Sequence, residues 1–213
     1  MTDTDPWIPT EIAGRTFLRL DLDHPDVDGR VIDEIRSGVP VYYDRRWPLT
    51  DRFCRFLLER PGRLEGKRVL VAGAGVGMEA VVAGALAETV VVNDAAPVAL
   101  ELCVEQLEGN GIEAYEVAPG PFQEAELDGV DLVLACWAVY DAGTRRAMAA
   151  LLERARERGI PALLANADIG GHFSRLLSGA GAPVEEVEGP WEEAGTVVWV
   201  GAAEGAAGPE SRP

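Results

Sequence analysis

Arg68-Val69-Leu70-Val71-Ala72-Gly73-Ala74-Gly75-Val76-Gly77-Met78-Glu79 is the stretch on which the fold turns. The continuous apolar run Val69–Ala72 fits a strand buried on both faces. Glycines at 73, 75 and 77 follow at once, where a sharp turn from strand into helix needs residues without Cβ so that a ligand can lie against bare backbone. About 20 residues later a second apolar run, Val90-Val91-Val92-Asn93, ends in Asp94. A carboxylate there can accept hydrogen bonds from both hydroxyls of an adenosine ribose. The two features together predict an adenosine-containing cofactor at the carboxyl edge of a parallel sheet.

Spacing narrows that ligand. A phosphate-cradling P-loop needs Lys-Ser/Thr after the glycines, but Gly77 is followed by Met78-Glu79, which excludes an NTPase. A dinucleotide fingerprint counted from Gly73 needs a small residue where Met78 stands; counted from Gly75 it runs through Ala80, so NAD stays open. Glu79 in the first helical turn would place an unfavourable charge near a pyrophosphate, a penalty that a sulfonium ligand escapes.

Outward from the turn, strand-length apolar runs alternate with helical stretches, the order of βαβ units. The predicted strands are Arg68–Ala72, Thr89–Asn93, Glu113–Val117, Asp131–Ala135 and Pro161–Asn166, with helices over Met78–Ala87, Pro97–Glu108 and Thr144–Arg158. Pro183–Glu188 and Thr196–Gly201 flank a turn at Pro190–Gly195 and read as a closing hairpin. The expected fold is α/β: a doubly wound, mostly parallel seven-stranded sheet with helices on both faces and a C-terminal antiparallel strand. Residues 1–65 read as a lead-in and cap segment, 66–203 as the cofactor-binding domain, and the Gly-, Ala- and Pro-rich 204–213 as a disordered tail. In the lead-in, Arg15–Leu20 alternates, Val31–Arg36 reads as a short helix, and Thr50 as the N-cap of another.

At 213 residues the chain suits one α/β domain. Its 19 basic against 36 acidic residues give a net charge of −17, a field that repels nucleic-acid backbones and anionic lipid surfaces. Cys54, Cys103 and Cys136 form no CxxC pair for zinc and read as reduced thiols of a cytoplasmic protein. The acidic start has no apolar leader core, and no uncharged apolar run reaches the roughly 18 residues of a membrane span. No metal site is predicted.

Taken together, Arg68–Gly77, Val92-Asn93-Asp94-Ala95-Ala96-Pro97 and Asn110-Gly111-Ile112 resemble class I S-adenosylmethionine-dependent methyltransferases. More narrowly, the chain resembles the small protein-lysine and nicotinamide N-methyltransferase-like branch, through Tyr42–Pro48, Leu134–Asp141 and Asp168-Ile169-Gly170-Gly171. The resemblance runs unbroken over residues 40–202. It implies S-adenosylmethionine as cofactor, with Gly73, Ala74, Gly75 and Gly77 along its methionine half, Asp94 and Ala95 at the ribose, and Trp47 and Cys136 beside it. Trp137, Tyr140 and Asp141 would flank the transferring methyl as catalytic residues. The family usually carries an acid where Val71 stands, an Asp near Ala118–Pro121, and another acid where Trp137 stands; backbone groups or Gln123 would serve the adenine instead.

Methyl transfer from a sulfonium is an in-line displacement, so positioning and water exclusion matter more than a dedicated base. His172 is the histidine placed near the sheet edge, in a loop by this reading, while Asp141 also reads as a helix N-cap. Tyr42, Tyr43, Trp47, Trp137 and Tyr140 would form an aromatic wall able to attract a cationic amine or a basic protein segment. The expected activity is N-methylation. A catalytically inactive binding module of the same fold, and an NAD-binding protein, are the alternatives.

Overall fold

The computed structural model describes residues 5–189, 191 and 195–201. The predicted tail, 204–213, and most of the turn predicted at 190–195 lie outside the described residues. The chain opens with an antiparallel hairpin, β1 (Trp7–Ile12) and β2 (Arg15–Leu20), followed by helices α1 (Pro25–Ser37) and α2 (Pro48–Glu59). Then come β3 (Arg68–Ala72), α3 (Met78–Gly84), β4 (Thr89–Asp94), α4 (Pro97–Gly109) and β5 (Tyr115–Pro119). The second half runs β6 (Leu132–Cys136), α5 (Ala142–Glu157), β7 (Ala162–Asn166), α6 (His172–Ser178), β8 (Val184–Glu186) and β9 (Thr196–Val200).

Seven strands form one sheet in the order β5-β4-β3-β6-β7-β9-β8. The first five are parallel, and β9 enters antiparallel between β7 and β8, with Leu163 opposite Trp199 and Glu185 on its other side. Crossovers from β3 therefore run outward in both directions, which opens a crevice at the carboxyl ends of β3 and β6, where such folds bind ligands. The two faces of β3 divide the core. Val69 and Val71 pack with α2 and α3 residues such as Phe53, Leu57 and Val81, while Leu70 and Ala72 pack with Met148 and Leu152 of α5.

Local chemistry sets the helix ends. Pro25, Pro48 and Pro97 occupy first-turn positions, where the missing N–H costs nothing. The His24 imidazole accepts from Asp26 N–H at 3.3 Å and caps α1, which ends on Gly38 at φ 88°. The reading of Thr50 as the cap of α2 needs correction: the helix starts at Pro48 with Trp47 as its N-cap residue, because proline at N1 already fixes the helical φ. Helix α1 begins six residues before the predicted Val31. The strand Trp7–Ile12 escaped prediction because Pro9 breaks its pattern, and it is tolerated on a two-stranded ribbon whose edge is open. No helix among the described residues is long and apolar enough to cross a membrane.

Candidate active site

At the end of β3 the backbone takes positive φ at Gly73 (68°), Gly75 (54°) and Gly77 (83°), the left-handed region that costs other L-residues energy. At Gly77 a side chain is also sterically impossible without movement, since a Cβ would stand 2.2 Å from Cys103 Sγ. Asp94 shapes this turn. One carboxylate oxygen accepts from Gly75 N–H at 2.8 Å and the other from Ala96 N–H at 2.9 Å, and Ala74 N–H donates to Asn93 O at 2.9 Å. Burial raises the Asp94 carboxyl above the usual range, opposed by those N–H groups. Each oxygen keeps a further lone pair for a ligand hydroxyl.

The turn forms one wall of a cavity of about 750 Å³, a size typical of small-molecule sites. The eleven residues expected to bind cofactor or act in catalysis all line it: Gly73, Ala74, Gly75, Gly77, Asp94, Ala95, Trp47, Cys136, Trp137, Tyr140 and Asp141. The fold brings them together from five segments: the β3 turn, the end of β4, the approach to α2, the end of β6 and the start of α5. Gln123 also lines the cavity.

Four rings also line the cavity. Trp47 stacks on Trp137 with centroids 4.5 Å apart, and Tyr42 meets Tyr140 at 4.3 Å. Arg45, paired with Asp44 at 3.1 Å, lies 5.7 Å over the Trp47 ring. Tyr43 also lines the cavity, but its hydroxyl donates to the buried Glu34, which also accepts from Val98 N–H at 2.8 Å and so fastens the segment after α1 to α4. Trp137 has φ 54°, a strained value for a residue with a side chain, held by its own N–H on Ala165 O at 2.8 Å. Beside it, the Asn166 side chain accepts from Val139 N–H at 3.0 Å and donates to Val139 O at 2.7 Å, pinning the loop after β6. Asn93 does the same after β5, donating to Ala118 O at 2.7 Å and Gly120 O at 2.9 Å.

Some expected roles meet competing contacts. The Asp141 carboxylate accepts from Thr144 N–H at 2.7 Å in a capping box at the start of α5, and these bonds hold it below the ordinary carboxylate range. It is therefore committed to the helix while sitting at the cavity rim. His172 is helical, at the start of α6, and stands outside the cavity lining, as does Asp168, which accepts from Ser174 N–H at 3.0 Å. Cys136 is buried near Thr50, with 3.7 Å between Sγ and Oγ1, and burial pushes its thiol well up, so it lines the site as an apolar group.

Two buried charged residues also line the cavity, Arg19, which sequence reading misses, and Glu79, whose charge it places near the ligand. Arg19 on β2 is 7% exposed, pairs with Asp51 of α2, and its Nε is buried with no hydrogen-bond partner. Glu79 on α3 is 6% exposed, and desolvation pushes its carboxyl up to about 7, against the pull of Arg19. The alternating pattern Arg15–Leu20 placed Arg19 on a strand, but burial of its charge depends on packing. No cluster suited to a metal ion occurs among the described residues.

No family model and no curated protein sequence matches this chain. Solved structures do. A SAM-dependent methyltransferase from Aquifex aeolicus superposes with TM-score 0.56 at 15% identity, over 79% of this chain and 95% of that one. The fold is that of the class I methyltransferases. A putative RNA methyltransferase from Pyrococcus horikoshii gives TM-score 0.55 at 19% identity, over 81% and 96% of the two chains. A putative methyltransferase from Streptococcus mutans, solved in complex with SAH, gives 0.52 at 13% over 65% and 89%. The methyltransferase fold of this chain orders its sheet unlike the nicotinamide-binding arrangement of six parallel strands, because β9 inserts antiparallel.

Proposed function

We propose that the chain is an S-adenosylmethionine-dependent methyltransferase acting on an amine nitrogen, of a small molecule or of a basic protein segment. One observation carries the reading: a single cavity leads from the Asp94 carboxylate past the bare backbone of Gly73–Gly77 to the stacked Trp47 and Trp137. The residues fit the cofactor. Asp94 would hold the ribose hydroxyls, Gly73, Ala74, Gly75 and Gly77 would admit the methionine half, and Ala95 and Cys136 would pack beside it. When bound, S-adenosylmethionine supplies a methyl group on a sulfonium, an electrophile that needs no further activation.

The chain's task is then to deliver a neutral nitrogen lone pair and keep water out. The faces of Trp47, Trp137, Tyr42 and Tyr140 attract a cationic amine as it enters. Desolvation among those rings lowers the ammonium pKa, so the proton leaves to solvent at the rim before attack. Trp137, fixed by its strained backbone, and Tyr140 bound the acceptor, and Asp141 fixes the start of α5 beneath it. The net charge of −17 steers cationic acceptors toward the molecule.

Titration of the purified chain by calorimetry with S-adenosylmethionine and with NAD tests the reading, together with transfer of labelled methyl to small amines and lysate proteins. Saturable binding of the sulfonium and label on nitrogen are expected. Binding without transfer would reassign the chain as a binding module, and tight NAD binding with no response to the sulfonium would overturn the reading.

A further inference from the structure

The cavity that holds the aromatic rings is also lined by charged side chains. Arg19 from β2, Asp51 from α2, Glu79 from α3 and Asp94 from β4 all line it. Arg19 uses its terminal nitrogens on Asp51, leaving Nε buried and without an acceptor. The Glu79 carboxylate, among the described residues, forms no ion pair and meets only its own backbone N–H. Val71 beneath it is fully buried and apolar, so β3 contributes no charge. A buried donor without an acceptor and a buried carboxylate without a counter-ion in one cavity are costly to folding, and each would be matched by a ligand with the opposite group.

We infer that Arg19 and Glu79 form a zwitterion clamp, in which Arg19 Nε–H binds the α-carboxylate and Glu79 the α-ammonium of the cofactor's amino-acid end. The inference rests on S-adenosylmethionine being the ligand and adds the residues that select its methionyl end. The N-terminal hairpin thereby becomes part of the cofactor site, since β2 supplies the carboxylate-binding group. With Glu79 and Asp94 both lacking a salt-bridge partner among the described residues, beside the Arg19–Asp51 pair, the cavity favours a ligand that brings positive charge. Phosphates of a dinucleotide would meet Glu79 unfavourably.

The ligand's own groups can be deleted without touching the protein. Calorimetry on the intact chain with S-adenosylmethionine, its decarboxylated analogue and methylthioadenosine, which lacks the amino-acid end and the sulfonium charge, is the direct measurement, with the decarboxylated analogue isolating the carboxylate. The clamp predicts about 10- to 100-fold weaker binding for each deletion, the range of one charge-assisted hydrogen bond. Glu79→Gln and Arg19→Met should weaken S-adenosylmethionine by a similar factor while leaving methylthioadenosine unchanged. Since Arg19→Met also breaks the pair with Asp51, its circular dichroism and melting profile would be recorded alongside. Equal affinities of wild type for all three ligands would overturn the clamp and leave the cofactor assignment standing. Absence of binding by all three would instead sink the cofactor assignment.

Discussion

Gly75 and Gly77 share a left-handed backbone, yet an added methyl group meets different surroundings at each. At Gly75 the nearest atom is Tyr43 Cβ at 3.4 Å, ordinary contact distance, so Gly75→Ala should cost about 1–2 kcal/mol of backbone strain. At Gly77 the methyl would overlap Cys103, and Gly77→Ala should cost about 3 kcal/mol or more as strain and overpacking add. Urea unfolding of both variants checks the order, and equal losses would contradict the packing described here. Glu79 makes a second prediction. Its carboxyl, pushed up to about 7 by burial, holds a proton in the folded chain that the unfolded chain has released above its ordinary value of 4.5. Folding is favoured by that group below 4.5, and the advantage drains away as pH rises through about 7. Between those limits the loss is on the order of 3 kcal/mol. Glu79→Gln should remove the slope, making the variant gain on wild type between pH 4.5 and about pH 8. A pH-independent difference in unfolding free energy would refute it. On the proposed clamp, Glu79 costs stability and gains a partner on binding, the familiar trade between stability and function.

Among the elements, α4 does more than cover the sheet. The Gln106 side chain accepts from Leu20 N–H at 2.8 Å and donates to Val76 O at 2.9 Å, and Asn110 exchanges two bonds of 2.7 Å with the backbone of Leu18. The helix thus stands in for a third strand beside β2, and fixes the hairpin to the glycine turn at the same time. Gln106→Leu leaves both Leu20 N–H and Val76 O unpaired, which should cost about 2–4 kcal/mol. Because Arg19 adjoins Leu20, the same variant should weaken S-adenosylmethionine binding in excess of any effect on methylthioadenosine. Unfolding and calorimetry together decide this, and a stable variant with full affinity would show that the hairpin is held by other means.

For the whole molecule the dominant quantity is the net charge of −17, distributed over a surface whose exposed ion pairs contribute little. Self-repulsion of that size destabilises the compact state. Raising ionic strength from about 0.01 M to about 0.15 M shortens the screening length from roughly 30 Å to 8 Å and should raise the melting temperature by a few degrees. A decrease would mean that attractive pairs such as Arg30 with Glu101 and Glu105 outweigh the repulsion.

Sequence alone determined the alternation of strand and helix, the glycine turn and the acid at the end of β4, because these depend on local periodicity and on residues lacking Cβ. Ten of the eleven candidate residues lie at or just after the carboxyl ends of β3, β4 and β6, which parallel strands deliver to one edge, while Trp47 arrives from the approach to α2. Boundaries shifted where prolines overrode polar caps, as at Pro48. Tertiary structure decided the rest. Whether Arg19 and Glu79 lie in water or face a cavity, whether Asp141 serves a helix, and that Asn93, Gln106 and Asn166 tie loops to the sheet all depend on which segments meet. Burial is a property of packing between distant parts of the chain, and it is burial that turns an ordinary charge or amide into a group that must find a partner.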